Sequence, residues 1–313
     1  MKQSTTKCHA YLIMAYNNWN QLRMLLELLD DPRNDLFIHI DKRAGEFPRE
    51  ELAAAVKESK VVFIPRKNVY WADYSQTEVE LDLLEAAAAE GRYHYYHLLS
   101  GMCLPLKTQD ELHAFFENEN REYIATARNG GDYSRKYIAY YHPLLHNRFY
   151  RKHKILKAAD RAIMYVQRAL GMDRLKGTNI VPACGWTWFS VTDAFCRYLM
   201  ENRPLIRKIF RHTVASDEHI MGTMAVNSAF VDKIYDINFG GLNEYRRGCQ
   251  RLIDWERGKP YVWGSQTPDE DFETLMGSGY LFARKFDERV NAELIQRIYV
   301  TLKKRQSENA DSI

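Results

Sequence analysis

The first half of the chain alternates short apolar runs with segments of helical period. Residues 10–15, 36–40, 61–64, 94–99 and 123–126 have the length and apolar character of buried strands. Between them, residues 19–29, 50–59, 75–90 and 108–119 repeat their apolar positions as helices do. Ser75 with Glu78 three residues on has the form of a capping box at the start of the third helix. Strands alternating with helices of this length predict βαβ units and a mostly parallel sheet, hence an α/β fold. Ligands of such sheets bind beyond the carboxyl ends of the strands. The residues to inspect are therefore Tyr16-Asn17, Asp41-Lys42-Arg43, Trp71 and Ser100-Gly101.

The second half is less regular. Residues 128–154 are rich in Tyr, His and Arg and show no period. Residues 155–170 are helical, 186–191 return to strand character, and 192–202, 204–210 and 217–226 are helical again. Residues 239–270 have little periodicity, and helices close the chain at 272–276 and 288–304. No repeat, low-complexity tract or linker divides the 313 residues. A single domain is expected, with a nucleotide-binding half over 1–127 and an acceptor-binding and catalytic half over 128–313.

Composition narrows the classes. Hydrophobic residues at 46% and charged residues at 27% exclude disordered and fibrous chains. A net charge of +3 gives no global nucleic-acid signal. No apolar run approaches the length of a membrane span, and the N-terminus reads as a first strand rather than a signal peptide. Five scattered cysteines without a CxxC pair point to free thiols in a reducing cytoplasm, not to a zinc site or a disulfide framework. Aromatic residues reach 13%, with 20 Tyr and 6 Trp, which suits either a Tyr-rich core or the flat apolar faces of sugars.

Candidate chemistry is spread along the chain. Asp41 ends an apolar strand, as an acceptor for nucleoside hydroxyls or a uracil N–H would, or as a loop cap would. There is no GxGxxG after a strand and no P-loop. Asp269-Glu270-Asp271 is a literal Asp-x-Asp, the form that holds a divalent metal on a sugar nucleotide. Thr267-Pro268 before it instead reads as a capped helix start, so no metal is expected. Arg284 and Lys285 lie between Leu281, Phe282, Ala283 and Phe286, a partly buried setting in which two cations call for an anion such as a diphosphate. Asp217 and Glu218 open a helix, either as an acidic first turn or as a general base at a helix mouth. No GxSxG accompanies the histidines, which disfavours a hydrolase.

As an ordered set, AYLIMAYNN, FIHIDKRA, VYWADYS, HLLSGMCLPLKT, GWTWFSVT, ASDEHIMGTMAVNS, RLIDW and GYLFARKFD resemble the core-2/I-branching enzyme family of inverting β-1,6-N-acetylglucosaminyltransferases, which includes the peptide O-xylosyltransferases. The resemblance implies a GT-A-like fold with a Rossmann-like central sheet, a UDP-sugar donor, inversion at the anomeric carbon and no metal. It implies Glu218 as the catalytic base and Arg284 and Lys285 at the donor diphosphate. It also implies Asp41 at the nucleoside, Trp71 lining the nucleotide site, and Thr187 and Trp188 facing the donor sugar. Asp132, Arg135 and Lys136 are candidates for the acceptor. The family's SGxDxPL motif has Asp where this chain has Cys103.

The expectation is thus a compact, bacterial-type cytoplasmic enzyme acting on an envelope or capsular glycan, with GlcNAc first and xylose next as the donor sugar. A non-catalytic nucleotide-sugar or glycan binder is the alternative. Residues 148–176 carry nine Lys and Arg against Asp160 and Asp173, either as a solvated basic helix or as a peripheral contact with anionic lipid near a lipid-linked acceptor.

Overall fold

Strand β1 (His9–Ala15) is a run of seven residues, all buried except the partly buried Met14. Its alternate side chains enter two different apolar layers. Tyr11, Ile13 and Ala15 belong to one, Ala10 and Leu12 to the other. The same division holds for β2 (Asn34–Ile40), where Leu36, Ile38 and Ile40 face the first layer and Phe37 the second. Strands buried on both faces read as continuous apolar runs, which is why they are legible in the sequence. The computed structural model describes residues 9–126, 131–145, 149–150, 152–237 and 245–310.

The remaining strands are β3 (Lys60–Phe63), β4 (Tyr95–Ser100), β5 (Cys103–Pro105), β6 (Tyr123–Thr126), β7 (Gly185–Thr192), β8 (Arg251–Ile253) and β9 (Phe282–Arg284). Six of the nine form the central sheet in the order β3-β2-β1-β4-β7-β6. β1 to β4 are mutually parallel, and β7 runs antiparallel between β4 and β6. This is the expected α/β architecture, with helices on both faces. The helices Trp19–Leu29 and Glu288–Ala310 cover one face, and Tyr74–Glu90 and Asp193–Glu201 cover the other. Each leucine these helices bury fully contributes about 1.5–3 kcal/mol.

A second sheet, β5-β9-β8, is absent from the sequence reading, as is the helix Gly131–Ile138. Three-residue strands are too short to show a period. The fully buried Arg251 of β8 locks this sheet to the central one. Its guanidinium donates to the Phe189 carbonyl at 2.8 Å and to Ser190 Oγ at 2.9 Å, and lies 4.4 Å from the Phe282 ring centroid.

Two caps differ from expectation. The helix Tyr74–Glu90 is capped by Asp73, which accepts from the Ser75 amide at 2.8 Å, while Ser75 Oγ accepts from the Tyr70 amide. A shorter acid one residue outside the helix reaches the orphan donor, so no Ser75–Glu78 box forms. Thr267 precedes the helix Pro268–Gly277 without a side-chain cap bond. The helix expected over 50–59 ends at Ala54.

Candidate active site

β1 to β4 end on one edge of the sheet, and β7, running the other way, begins there. The start of β7 is fixed by contact at backbone distance. A Cβ on Gly185 would lie 1.5 Å from the Ala125 carbonyl oxygen, so only glycine lets β7 approach β6 here. Thr187 and Trp188 follow at once, and each holds one half of the candidate chemistry.

Thr187 holds the acidic half. Its hydroxyl donates to Asp217 Oδ2 at 2.7 Å, and Gln76 Nε2 donates to the same oxygen at 2.7 Å. Thr77 and Ser216 share a hydroxyl hydrogen bond at 2.8 Å, and the Ala215 amide donates to the Ala72 carbonyl at 2.9 Å. Both alanines have positive φ, 63° for Ala72 and 50° for Ala215. The loop bearing Trp71 is thereby joined to the turn that presents Glu218. The helix Asp217–Val226 packs closely on β6, since a Cβ at Gly222 would meet Thr126 Oγ1 at 2.2 Å.

Asp217 is buried, with its Oδ1 left without a hydrogen-bond partner among the described residues. Burial raises its carboxyl above the usual range, against the lowering effect of the Thr187 hydroxyl. Its neighbour Glu218 is exposed at the start of the helix. Desolvation there, and then the charge of Asp217, push Glu218 up to about 7. Asp217 thus ties the helix to β7 and to the helix Tyr74–Glu90, a positioning role beyond an acidic first turn.

Trp188 holds the basic half. The Arg284 guanidinium lies 4.4 Å from its ring centroid and donates to Ser100 Oγ at 2.5 Å. The Trp263 indole N–H donates to the Arg284 carbonyl at 2.9 Å, and the Trp263 amide to the Lys285 carbonyl at 3.0 Å. Burial, and then the charge of Arg284, lower the Lys285 ammonium below its usual value. A fully buried glutamine braces the segment. Gln21 donates to the carbonyls of Gly101 (2.8 Å) and Phe286 (3.3 Å) and accepts from the Glu288 amide.

The other candidates stand apart from this pair of contacts. Asp41 ends β2 as a loop cap, with its carboxylate accepting from the Arg43 backbone and guanidinium. Burial works against its ionisation, but the Arg43 hydrogen bonds and charge prevail and hold it below the usual carboxylate range. The Arg43 guanidinium lies 4.6 Å over the Tyr70 ring, beside the 63% exposed Trp71. Arg135 forms an ion pair with Asp173, and Lys136 lies 5.0 Å over the Tyr137 ring. Their helix reaches the acidic site through Tyr137, whose ring is 5.8 Å from that of His219. The Asp132 side chain lies outside the described residues.

The Asp-x-Asp is engaged elsewhere. Asp269 pairs with Arg297, while Asp271 accepts from Arg257, the Tyr261 hydroxyl and the Gly264 amide. Among the described residues no group of three or more His, Cys, Asp or Glu is placed to hold a metal ion.

The model of the Core-2/I-Branching enzyme family matches residues 9–272. The chain belongs to that family. It is 27% identical over 304 residues to xylosyltransferase 2 of Canis lupus familiaris, covering 92% of this chain and 33% of that protein. Xylosyltransferase 1 of Homo sapiens is 26% identical over 294 residues, covering 89% of this chain and 28% of that protein. The chain therefore spans about a third of those relatives' length or less. Among solved structures, apo mouse xyloside xylosyltransferase 1 aligns over 88% of this chain and 96% of its own at 12% identity, with a TM-score of 0.33.

In this Core-2/I-branching chain the Asp-to-Cys departure leaves a turn intact. Cys103 is buried, and its Sγ accepts from the Ser100 amide at 3.3 Å. The four described cysteines are free thiols. Among the described residues no helix is long and apolar enough to cross a membrane. Sequence reasoning misses Gln76, Gln21 and Tyr137. The only signal for Gln76 and Gln21 is a polar residue on the buried face of a helix.

Proposed function

We propose that this chain is an inverting glycosyltransferase that moves a sugar from a UDP-sugar to a hydroxyl of a glycan or lipid-linked glycan acceptor. The observation that carries the reading is that adjacent residues of one strand hold the two halves of the chemistry: Thr187 the Asp217–Glu218 pair, Trp188 the Arg284–Lys285 pair. Family membership supports a GT-A-like frame and a nucleotide-sugar donor. Of the two expected sugars, the names of the relatives favour xylose over GlcNAc. An envelope or capsular glycan in a cytoplasmic setting is the proposed context.

A sugar hydroxyl is a weak nucleophile, so a base must take its proton as it attacks. Glu218, pushed up to about 7, sits near the operating pH of such a base. Attack from the face opposite the UDP inverts the anomeric carbon. Negative charge then grows on the departing diphosphate, where Arg284 and Lys285 stabilise it more than in the ground state. With these cations at the leaving group and both aspartates of the Asp-x-Asp engaged with protein donors, the proposed reaction needs no metal.

Release of UDP from UDP-xylose and UDP-GlcNAc, in the presence of EDTA, tests the reading. Glu218→Gln should lower turnover about 10²–10⁴-fold while UDP affinity stays unchanged. UDP binding without turnover of any UDP-sugar, over a broad acceptor panel, would favour the non-catalytic binder.

A further inference from the structure

The helix Lys154–Ala169 lies at the surface, with only two of its residues fully buried. Its buried residues are polar, Asp160 and Gln167. Asp160 accepts from His142 Nδ1 at 2.7 Å and from the Tyr150 hydroxyl at 3.3 Å. Gln167 exchanges two hydrogen bonds with the Tyr141 backbone, at 2.8 and 2.9 Å. No described residue of this helix joins either hydrophobic layer. Leu156, Ile163 and Met164 are half-buried, but three other large apolar side chains face outward: Ile155 is 81% exposed, Val166 57% and Tyr165 55%, and Leu170 just beyond the helix is 72% exposed.

At 3.6 residues per turn, Ile155, Ala158, Ala162, Tyr165, Val166 and Ala169 fall in one continuous sector. Lys154, Lys157, Arg161 and Arg168 form a second stripe along one side of it. Among the described residues none of these four cations has an acidic ion-pair partner. The nearby acids are taken, Asp160 by His142 and Asp173 by Arg135. Arg148 and Arg151 of the same basic stretch lie outside the described residues.

We propose that this face seats on an anionic lipid surface, with the apolar sector entering the headgroup boundary and the cationic stripe meeting the lipid phosphates. A second copy of the chain fits poorly, because a self-complementary contact here would bring two uncompensated cationic stripes together. An exposed apolar sector beside uncompensated cations matches the chemistry of an interface between negative headgroups and acyl chains. The inference is independent of the transferase reading.

The test is flotation of the full chain with phosphatidylcholine vesicles, with and without phosphatidylglycerol, at low and high salt. Binding should require phosphatidylglycerol and fall as salt rises. Lys157→Gln and Arg161→Gln should each weaken partitioning about fivefold. Val166→Asp should weaken it further, with thermal unfolding unchanged because the side chain is exposed. Absence of binding to phosphatidylglycerol vesicles at low salt would overturn the proposal. So would a concentration-dependent dimer, seen by sedimentation, that Val166→Asp abolishes.

Discussion

Thr187 donates its hydroxyl to Asp217 at 2.7 Å, so the third residue of β7 sets the place of the acid that precedes Glu218. That contact links geometry to ionisation. Asp217 is the second cause, after desolvation, of the raised Glu218 carboxyl.

The first prediction concerns pH. A base that must be ionised, with its carboxyl at about 7, gives a rate that rises with pH through about 7. Asp217→Asn removes the neighbouring negative charge and should move the acidic limb of kcat to lower pH. The check is the pH–rate profile of both proteins. An unmoved limb would mean that another group controls it.

The basic pair is tested through affinity. Lys285→Ala should weaken UDP binding by roughly 1.5–3 kcal/mol, the usual contribution of a charge-assisted hydrogen bond. Arg284→Ala should do the same or less, and Trp188→Ala should follow Arg284→Ala because the ring supports that guanidinium. Calorimetric titration with UDP measures all three. Neither cation variant should acquire a dependence on Mn²⁺, and loss of wild-type activity in EDTA with recovery in Mn²⁺ would refute the assignment.

Gly185→Ala should destabilise the fold by at least about 1–3 kcal/mol, the cost of overpacking. The new methyl has no room, since it would sit 1.5 Å from the Ala125 carbonyl oxygen. A thermal melt reads the loss. Activity should fall by more than the unfolded fraction explains, because Thr187 lies two residues away.

Acid stability depends on a buried histidine cluster. His9 stacks on His113 at 4.1 Å and meets His97 at 4.7 Å. Burial lowers His9 and His97 well below the usual histidine value and His113 to about 4. Between about pH 6.5 and 4 the unfolded chain takes up protons that these folded rings refuse, so their contribution to stability is lost as pH falls. Glu122, pushed up to about 7 by burial, acts with the opposite sign, and its contribution is lost as pH rises through 7. The comparison must therefore be between variants. His113→Gln, which keeps a donor toward Asn34, should lessen the decline in stability by up to about 2 kcal/mol at pH 5. Equal declines in Tm from pH 7 to pH 5 would show that His113 titrates normally in the fold.

The sequence by itself determined most of the longer elements and their order, though not the three-residue strands of the second sheet or the helix Gly131–Ile138. The helices Trp19–Leu29 and Asp217–Val226 and the strand Tyr123–Thr126 have the bounds that the sequence predicts; in Trp19–Leu29 the apolar positions report the face it buries, whereas the other two are buried almost throughout. It also supplied the ordered motifs that mark the family. Only the tertiary structure decided which motifs meet. Arg284 reaches Ser100 across 184 positions, Thr187 reaches Asp217 across 30, and Gln76 reaches Asp217 across 141. It also decided that the helix Lys154–Ala169 turns Asp160 and Gln167 inward while Ile155, Tyr165 and Val166 stay exposed. The physical reason is one of range. Periodicity records whether a residue is buried, whereas a hydrogen bond or a stacked cation depends on which distant surface does the burying.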